Sequence, residues 1–150
     1  MKKYIINNKT IALIKKNKKT IIISVDKIEV FNKSINKILE YNCNYYGSSL
    51  KGRKYSAKNI LNIKYKVPII IDEKNNIVII QLNSPRKEVS MYLVTNKIIN
   101  YEKLNNILKI YCCNNVIFKI KLSEKIFEKL IIKSIQLNNV LNWRKNLNLL

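Results

Sequence analysis

The sequence predicts a single α+β domain, mostly antiparallel strands with two or three helices. Three observations lead there. Apolar residues make up 47% of the 150 positions, enough for a real core and too many for a disordered chain. Short β-branched runs bounded by Asn-rich breaks recur along most of the length. Helical spacing occurs in only a few stretches. No repeat or Pro- or Ser-rich linker divides the chain, so residues 1–150 read as one unit.

The elements follow in order. Tyr4 to Ile6 and Thr10 to Ile14 read as strands around a hairpin turn at Asn7-Asn8-Lys9. Thr20 to Val25 is β-branched, and Lys27 to Phe31 alternates. Ile35, Ile38 and Leu39 follow Ser34 at helical spacing, giving a capped helix that ends near Asn42. A second helix fits Leu50 to Leu61, capped by Ser48 or Ser49. Gly52 inside it costs about 1 kcal/mol against alanine. That cost points either to a start nearer Gly52 or to a close backbone approach there. Ile69 to Ile71 and Ile77 to Ile80 are strands joined by a turn at residues 72–76, and Asn83 to Arg86 is another turn. Met91 to Ile98 reads as one strand. Ile107 to Cys113 and Val116 to Leu122 form a hairpin, and a helix starts at Ser123-Glu124 and runs to Leu141 or beyond. It presents Phe127, Leu130, Ile131, Ser134 and Ile135 on one face.

Composition excludes several functions. There is no histidine, which removes the commonest general base and metal ligand. Cys43, Cys112 and Cys113 show no paired spacing, so they read as small buried hydrophobes in a reducing compartment rather than as a disulfide framework or zinc site. Asp72-Glu73 sits in a turn, and Glu124 and Glu128 are flanked by lysines; both read as solvated. No cofactor is implied. No apolar run reaches the ~18 residues of a membrane span, and Asn7-Asn8-Lys9 interrupts anything resembling a signal peptide. The expected location is cytoplasmic.

Charge is the strongest signal. The chain carries 29 Lys and Arg against 9 Asp and Glu, a net charge of +20. Such an excess suggests a polyanionic partner. Lys, Ile and Asn supply 26, 28 and 23 residues, the usage AT-rich coding gives, so some lysines need no functional explanation. The scarcity of acids is less well explained that way. None lies between Tyr41 and Ile71, nor from Met1 to Val25.

Both glycines of the chain fall in the first of these acid-free blocks, in YYGSSLKGRKYSAK. Gly47 and Gly52 have the separation of a Walker loop, but Arg53-Lys54 stands where Lys-Ser/Thr is needed. What remains is a small-residue turn, Gly47-Ser48-Ser49, leading into a basic helix. Small residues and free helix amides let a backbone approach phosphates. Lys51, Lys54 and Lys58 share helical spacing and fit one DNA strand; a turn followed by a solvated basic helix accounts for them equally.

At this segment the sequence resembles the competence transcription factor family, ComK. CNYYGSSLKGRK (43–54) is similar to the family's Cys, two aromatics, Gly-Ser-Ser, two variable positions and Gly-Arg-Lys. KVPIIIDEKNNIVII (66–80) resembles its Pro, apolar triplet, Asp, turn and strand, and NSPR (83–86) its Ser/Pro/Arg turn. The resemblance covers about residues 10 to 135. It implies a cofactor-free bacterial activator of DNA-uptake genes, associated with the nucleoid. Such an activator binds paired A-tract and T-tract boxes largely through the minor groove, as homodimers with two dimers at one site. The chain stops at Leu150, so the family tail used in adaptor-dependent proteolysis is expected to be missing or reduced, and adaptor binding is not carried over. Met91-Tyr92 stands where tryptophan is common in the family, and Trp143 receives no role.

The expected interface follows from this resemblance together with DNA chemistry. Gly47, Ser48, Ser49 and Gly52 allow close approach. Arg53 and Arg86 enter the narrow, electronegative minor groove of A-tracts. Lys51, Lys54, Lys58, Lys64 and Lys66 bind phosphates. Two alternatives stand beside it. One is a nonspecific nucleic-acid-binding relative. The other is an enzyme on phosphorylated substrates using Ser48 or Ser49 and Arg53, for which no base is at hand.

Overall fold

A computed structural model of the protein describes residues 2–83 and 89–147. Strands β1 (Thr10–Lys16), β2 (Lys19–Ser24) and β3 (Ile28–Phe31) are followed by helices α1 (Ile35–Tyr45) and α2 (Leu50–Leu61). Then come β4 (Ile69–Asp72), β5 (Ile77–Gln81) and β6 (Val89–Val94), next β7 (Ile98–Leu104), β8 (Ile107–Cys112) and β9 (Val116–Ile120), and last α3 (Glu124–Leu147). The first six strands form an antiparallel sheet in the order β3-β2-β1-β6-β5-β4, and the last three a sheet in the order β7-β8-β9. The architecture is α+β, as the sequence predicts.

Alternation decides what each face of the large sheet meets. Leu13, Ile22, Phe31, Ile69, Ile79 and Tyr92 point to one face and pack against Ile35, Ile38, Leu39 and Cys43 of α1 and Leu50 of α2. Ala12, Ile80, Met91 and Leu93 point to the other, where Leu108, Ile110 and Phe118 of the small sheet and Phe127 and Leu130 of α3 cover them. Because both faces are covered, β4 and β5 are buried at nearly every position, which is why they read as unbroken isoleucine runs rather than alternating ones. A third cluster joins Ala57 and Leu61 of α2, Ile70, Val78 and Leu137 of α3, so α2 wraps the β4 edge.

Five expectations change. Tyr4 to Ile6 is not a strand. Its backbone is satisfied by side chains instead: the Ile6 amide donates to Asn42 Oδ1 at 2.7 Å, Asn42 Nδ2 donates to the carbonyls of Tyr4 and Ile38, and Tyr46 Oη donates to the Ile6 carbonyl. Asn7 to Lys9 turns into β1, and the hairpin turn is Asn17-Lys18, with Asn17 at φ 58°. Met91 to Ile98 is not one strand. A 3-10 turn at Thr95–Lys97 breaks it, and Ile98 opens β7 in the other sheet. On α3 the buried stripe is Phe127, Leu130, Ser134 and Leu137. Ile135 lies beside that stripe and is exposed, because helical rotation carries it past the edge of the contact. Helix α1 extends three residues beyond Asn42, to Tyr45. Of the turn at residues 83–86, Ser84 to Arg86 lie outside the described residues.

The turns explain how a chain with two glycines closes its loops. Seven described non-glycine residues have positive φ, and six of them are asparagines: Asn17, Asn62, Asn76, Asn105, Asn114 and Asn115. Asparagine tolerates the left-handed region better than other chiral residues, because its short amide bonds locally. The seventh is Lys66, at φ 51°.

Candidate nucleic-acid interface

The Gly47–Gly52 segment is a helix-to-helix corner. Gly47, at φ +88°, ends α1 in a conformation that other residues avoid. The Ser48 amide and hydroxyl both donate to the Cys43 carbonyl, at 2.8 and 3.1 Å. Ser49 is the N-cap of α2, and its hydroxyl accepts from the Gly52 amide at 3.0 Å. A Cβ added at Gly52 would stand 2.8 Å from that hydroxyl. The close approach at Gly52 is therefore made by the helix's own cap.

Arg53 is held inside this corner. Its Nε donates to Ser48 Oγ at 3.1 Å, and its Nη1 donates to Glu73 Oε1 across from β4. Lys145 of α3 takes the other Glu73 oxygen. The Lys145 ammonium and the Arg53 guanidinium together hold the Glu73 carboxyl below the usual carboxylate range, against the opposing effect of burial. The Arg53 side chain is 19% exposed. Glu73 lies twenty positions away in sequence, so a segment with no acid nearby in the chain has one in space.

The predicted lysines separate from Arg53 and gather elsewhere. Helix α2 runs from the Glu73 corner toward the start of β4, and Lys54 and Lys58 lie along it. With Lys64, Tyr65 and Lys66 from the α2–β4 connection, they line a cavity of about 390 Å³ floored by Ile69, Gln81 and Tyr92. Lys54 and Lys58 also border a neighbouring depression of about 650 Å³ with Ser49, Lys51, Gly52 and Tyr55. Lys66 Nζ donates to the Leu82 carbonyl at 3.4 Å. Among the described residues, Lys51, Lys54, Lys58 and Lys64 make no ion pair. Tyr55 and Tyr65 are 69% and 84% exposed between these lysines. The sequence reading passed over both; the signal was a tyrosine set among lysines, in Lys54-Tyr55 and Lys64-Tyr65-Lys66. Arg86 lies outside the described residues.

Strand direction extends this into a polarity of the whole sheet. The register puts the end of β1, the start of β2, the end of β3, the start of β4 and the end of β5 at one pole. The described loops there carry Lys18, Lys33, Lys64 and Lys66 and no acid. The opposite pole holds Asp26, Asp72 and Glu73. Lys9, Lys27 and Lys74 stand beside these acids, so that pole is near neutral, whereas the described loops of the first pole carry lysines alone.

Other chemistry is thin. Burial pushes the Cys112 thiol up to about 11 and raises that of Cys43, so neither is a thiolate at neutral pH. Among the described residues no group of three His, Cys, Asp or Glu side chains could hold a metal ion, and no helix is long and apolar enough to cross a membrane. Searches of curated protein sequences and of solved structures return no match. The family model described as "ComK protein" matches residues 1–146. That match takes in the glycine–serine corner, the basic helix behind it and both sheets, so the chain belongs to the ComK family of competence transcription factors.

Proposed function

We propose that the protein is a DNA-binding transcriptional activator that recognises A-tract and T-tract boxes largely through the minor groove and acts as a homodimer. The observation that carries the DNA contact is the convergence of Lys54, Lys58, Lys64 and Lys66 on one groove at the pole whose described loops hold no acid, with exposed Tyr55 and Tyr65 beside them. Lysines without carboxylate partners attract phosphates and release counterions on binding. The groove residues, with Lys51, hold the backbone. Arg53 acts by fixing α2, since insertion would break its bonds to Glu73 and Ser48. Base-edge contact in the minor groove then falls to Arg86, whose guanidinium suits the enhanced potential of A-tracts.

A nonspecific reading is favoured by one observation: the groove is built from lysines, which act as point charges without the planar fork of arginine. Mobility shift with an A-tract duplex and excess mixed-sequence competitor separates the two. A complex that survives the competitor supports sequence-selective binding; one that disappears supports nonspecific binding. Changing Lys54, Lys58 and Lys64 together to Gln should lower the log–log salt slope by about 2.7, at ~0.9 per phosphate contact. An unchanged slope removes the groove from the interface.

A further inference from the structure

A second basic groove lies at the same pole, away from the glycine–serine corner. It has a volume of about 670 Å³ and is formed by the N-terminal segment, the β1–β2 turn, the β3–α1 connection and α1. Lys2, Lys3, Lys18, Lys33 and Lys37 line it, against one carboxylate, Glu40. Two of these lysines are fixed in place. Lys2 pairs with Glu29 at 2.8 Å and stands 5.3 Å over the Phe31 ring, and Lys3 stands 4.7 Å over the Tyr41 ring. The Lys33 backbone is held by Thr20, whose hydroxyl donates to its carbonyl at 2.6 Å. Lys18, Lys33 and Lys37 make no ion pair among the described residues. Nothing in the groove balances their charge except Glu40, so its natural occupant is an anion with repeated charges.

Its position says which anion. Phe31 ends β3 and Ile69 begins β4, the two edge strands of the sheet, and each lines one of the two grooves. Six strands at ~4.8 Å spacing separate those edges by about 24 Å. At ~3.4 Å per base pair that is about 7 base pairs.

We propose that this groove is a second phosphate-binding site, holding the sugar–phosphate backbone of the same AT-rich duplex that lies in the Lys54–Lys58 groove; the inference rests on the DNA-binding reading above. Each protomer then contacts DNA backbone at two stretches about 7 base pairs apart. The test is phosphate-ethylation interference and a salt titration on an AT-rich duplex of about 24 base pairs, long enough to cross both grooves. The full chain is compared with Lys18→Gln/Lys33→Gln/Lys37→Gln and with Lys54→Gln/Lys58→Gln/Lys64→Gln. The first triple should lose one stretch of interference, keep the other, and lower the salt slope by about 2.7. Should that triple melt early, Lys18→Gln/Lys37→Gln, both at exposed positions, should lower the slope by about 1.8. If interference and slope stay at wild-type values in these variants while the second triple loses binding, the second site is wrong and the DNA reading stands. If the wild-type chain gives no interference, the DNA reading fails and this inference with it.

Discussion

Arg53, expected in the minor groove, is bonded to Ser48 and Glu73, and Arg53→Gln tests whether those bonds are its role. The substitution removes a charge-assisted hydrogen bond to a half-buried carboxylate and the contact from Nε to Ser48. A hydrogen bond to a charged group contributes about 1.5–3 kcal/mol. Lys145 still faces Glu73 but is 58% exposed, and an exposed pair adds about 0.2–1 kcal/mol. The net loss should be about 2 kcal/mol. For a domain of this size each kcal/mol moves Tm by about 2–4 °C, so thermal unfolding followed by circular dichroism at pH 7 should fall by about 4–8 °C. The pH dependence has a definite sign. Glu73 is depressed in the folded state. The stabilisation it carries is therefore complete above its unfolded value of about 4.3 and is lost as pH falls through the lower folded value. The Tm gap between wild type and variant should narrow in acid, below about pH 4. A-tract binding by the folded variant should keep its sequence preference. An unchanged Tm together with lost A-tract preference would falsify the structural role and return Arg53 to the DNA surface.

Three further outcomes follow from the geometry. Asn42→Ala should cost about 3 kcal/mol by denaturant unfolding, because it leaves the buried Ile6 amide without a partner and removes the donor to Tyr4 and Ile38; a loss under about 1 kcal/mol would mean water replaces the amide. Gly52→Ala should change stability by less than about 1 kcal/mol, since the helix-propensity gain of ~1 kcal/mol is offset by displacing the Ser49 cap, and DNA affinity should stay constant. A maleimide at neutral pH should label Cys113 in the native protein and spare Cys43 and Cys112, which are buried; rapid labelling of all three would contradict that burial.

How legible was this in the sequence? The helix starts were, that of α2 only to within Ser48 or Ser49, because a serine hydroxyl stands before each run, and those of Ser34, Ser49 and Ser123 accept from amides of the first turn. The strands β4 and β5 were, through their isoleucine runs. Strand β7 was not: Asn100, Glu102 and Lys103 dilute its pattern, and the 3-10 turn before it carries no glycine or proline to mark the break. Asparagine marked the turns at Asn76 and Asn114-Asn115 but not the one at Asn17, since in a chain with 23 of them the residue marks no position by itself. The lysines that line the Lys54–Lys58 groove were named from the sequence, Lys54 and Lys58 by their spacing along α2 and Lys64 and Lys66 by their place in an acid-free block. The Arg53–Glu73 bond was invisible, because only the packing of α2 beside the β4 edge brings a twenty-residue separation into contact. The second groove was invisible for the same reason: its lysines come from four segments that the β1–β2–β3 register and α1 bring together.

The uneven spread of charge between the two poles of the large sheet has an effect before any contact forms. The net charge of +20 is spread unevenly along the strands, with lysines alone in the described loops of one pole and lysines balanced by acids at the other. In the field of a polyanion such a body feels a torque as well as a pull, and it turns as it approaches. Within a Debye length, about 10 Å at 0.1 M salt, the lysine-bearing loops lead and the Asp26–Asp72–Glu73 end trails. Orientation is then settled during diffusion rather than by trial collisions. Added salt should slow the encounter by weakening this alignment as well as by reducing the attraction.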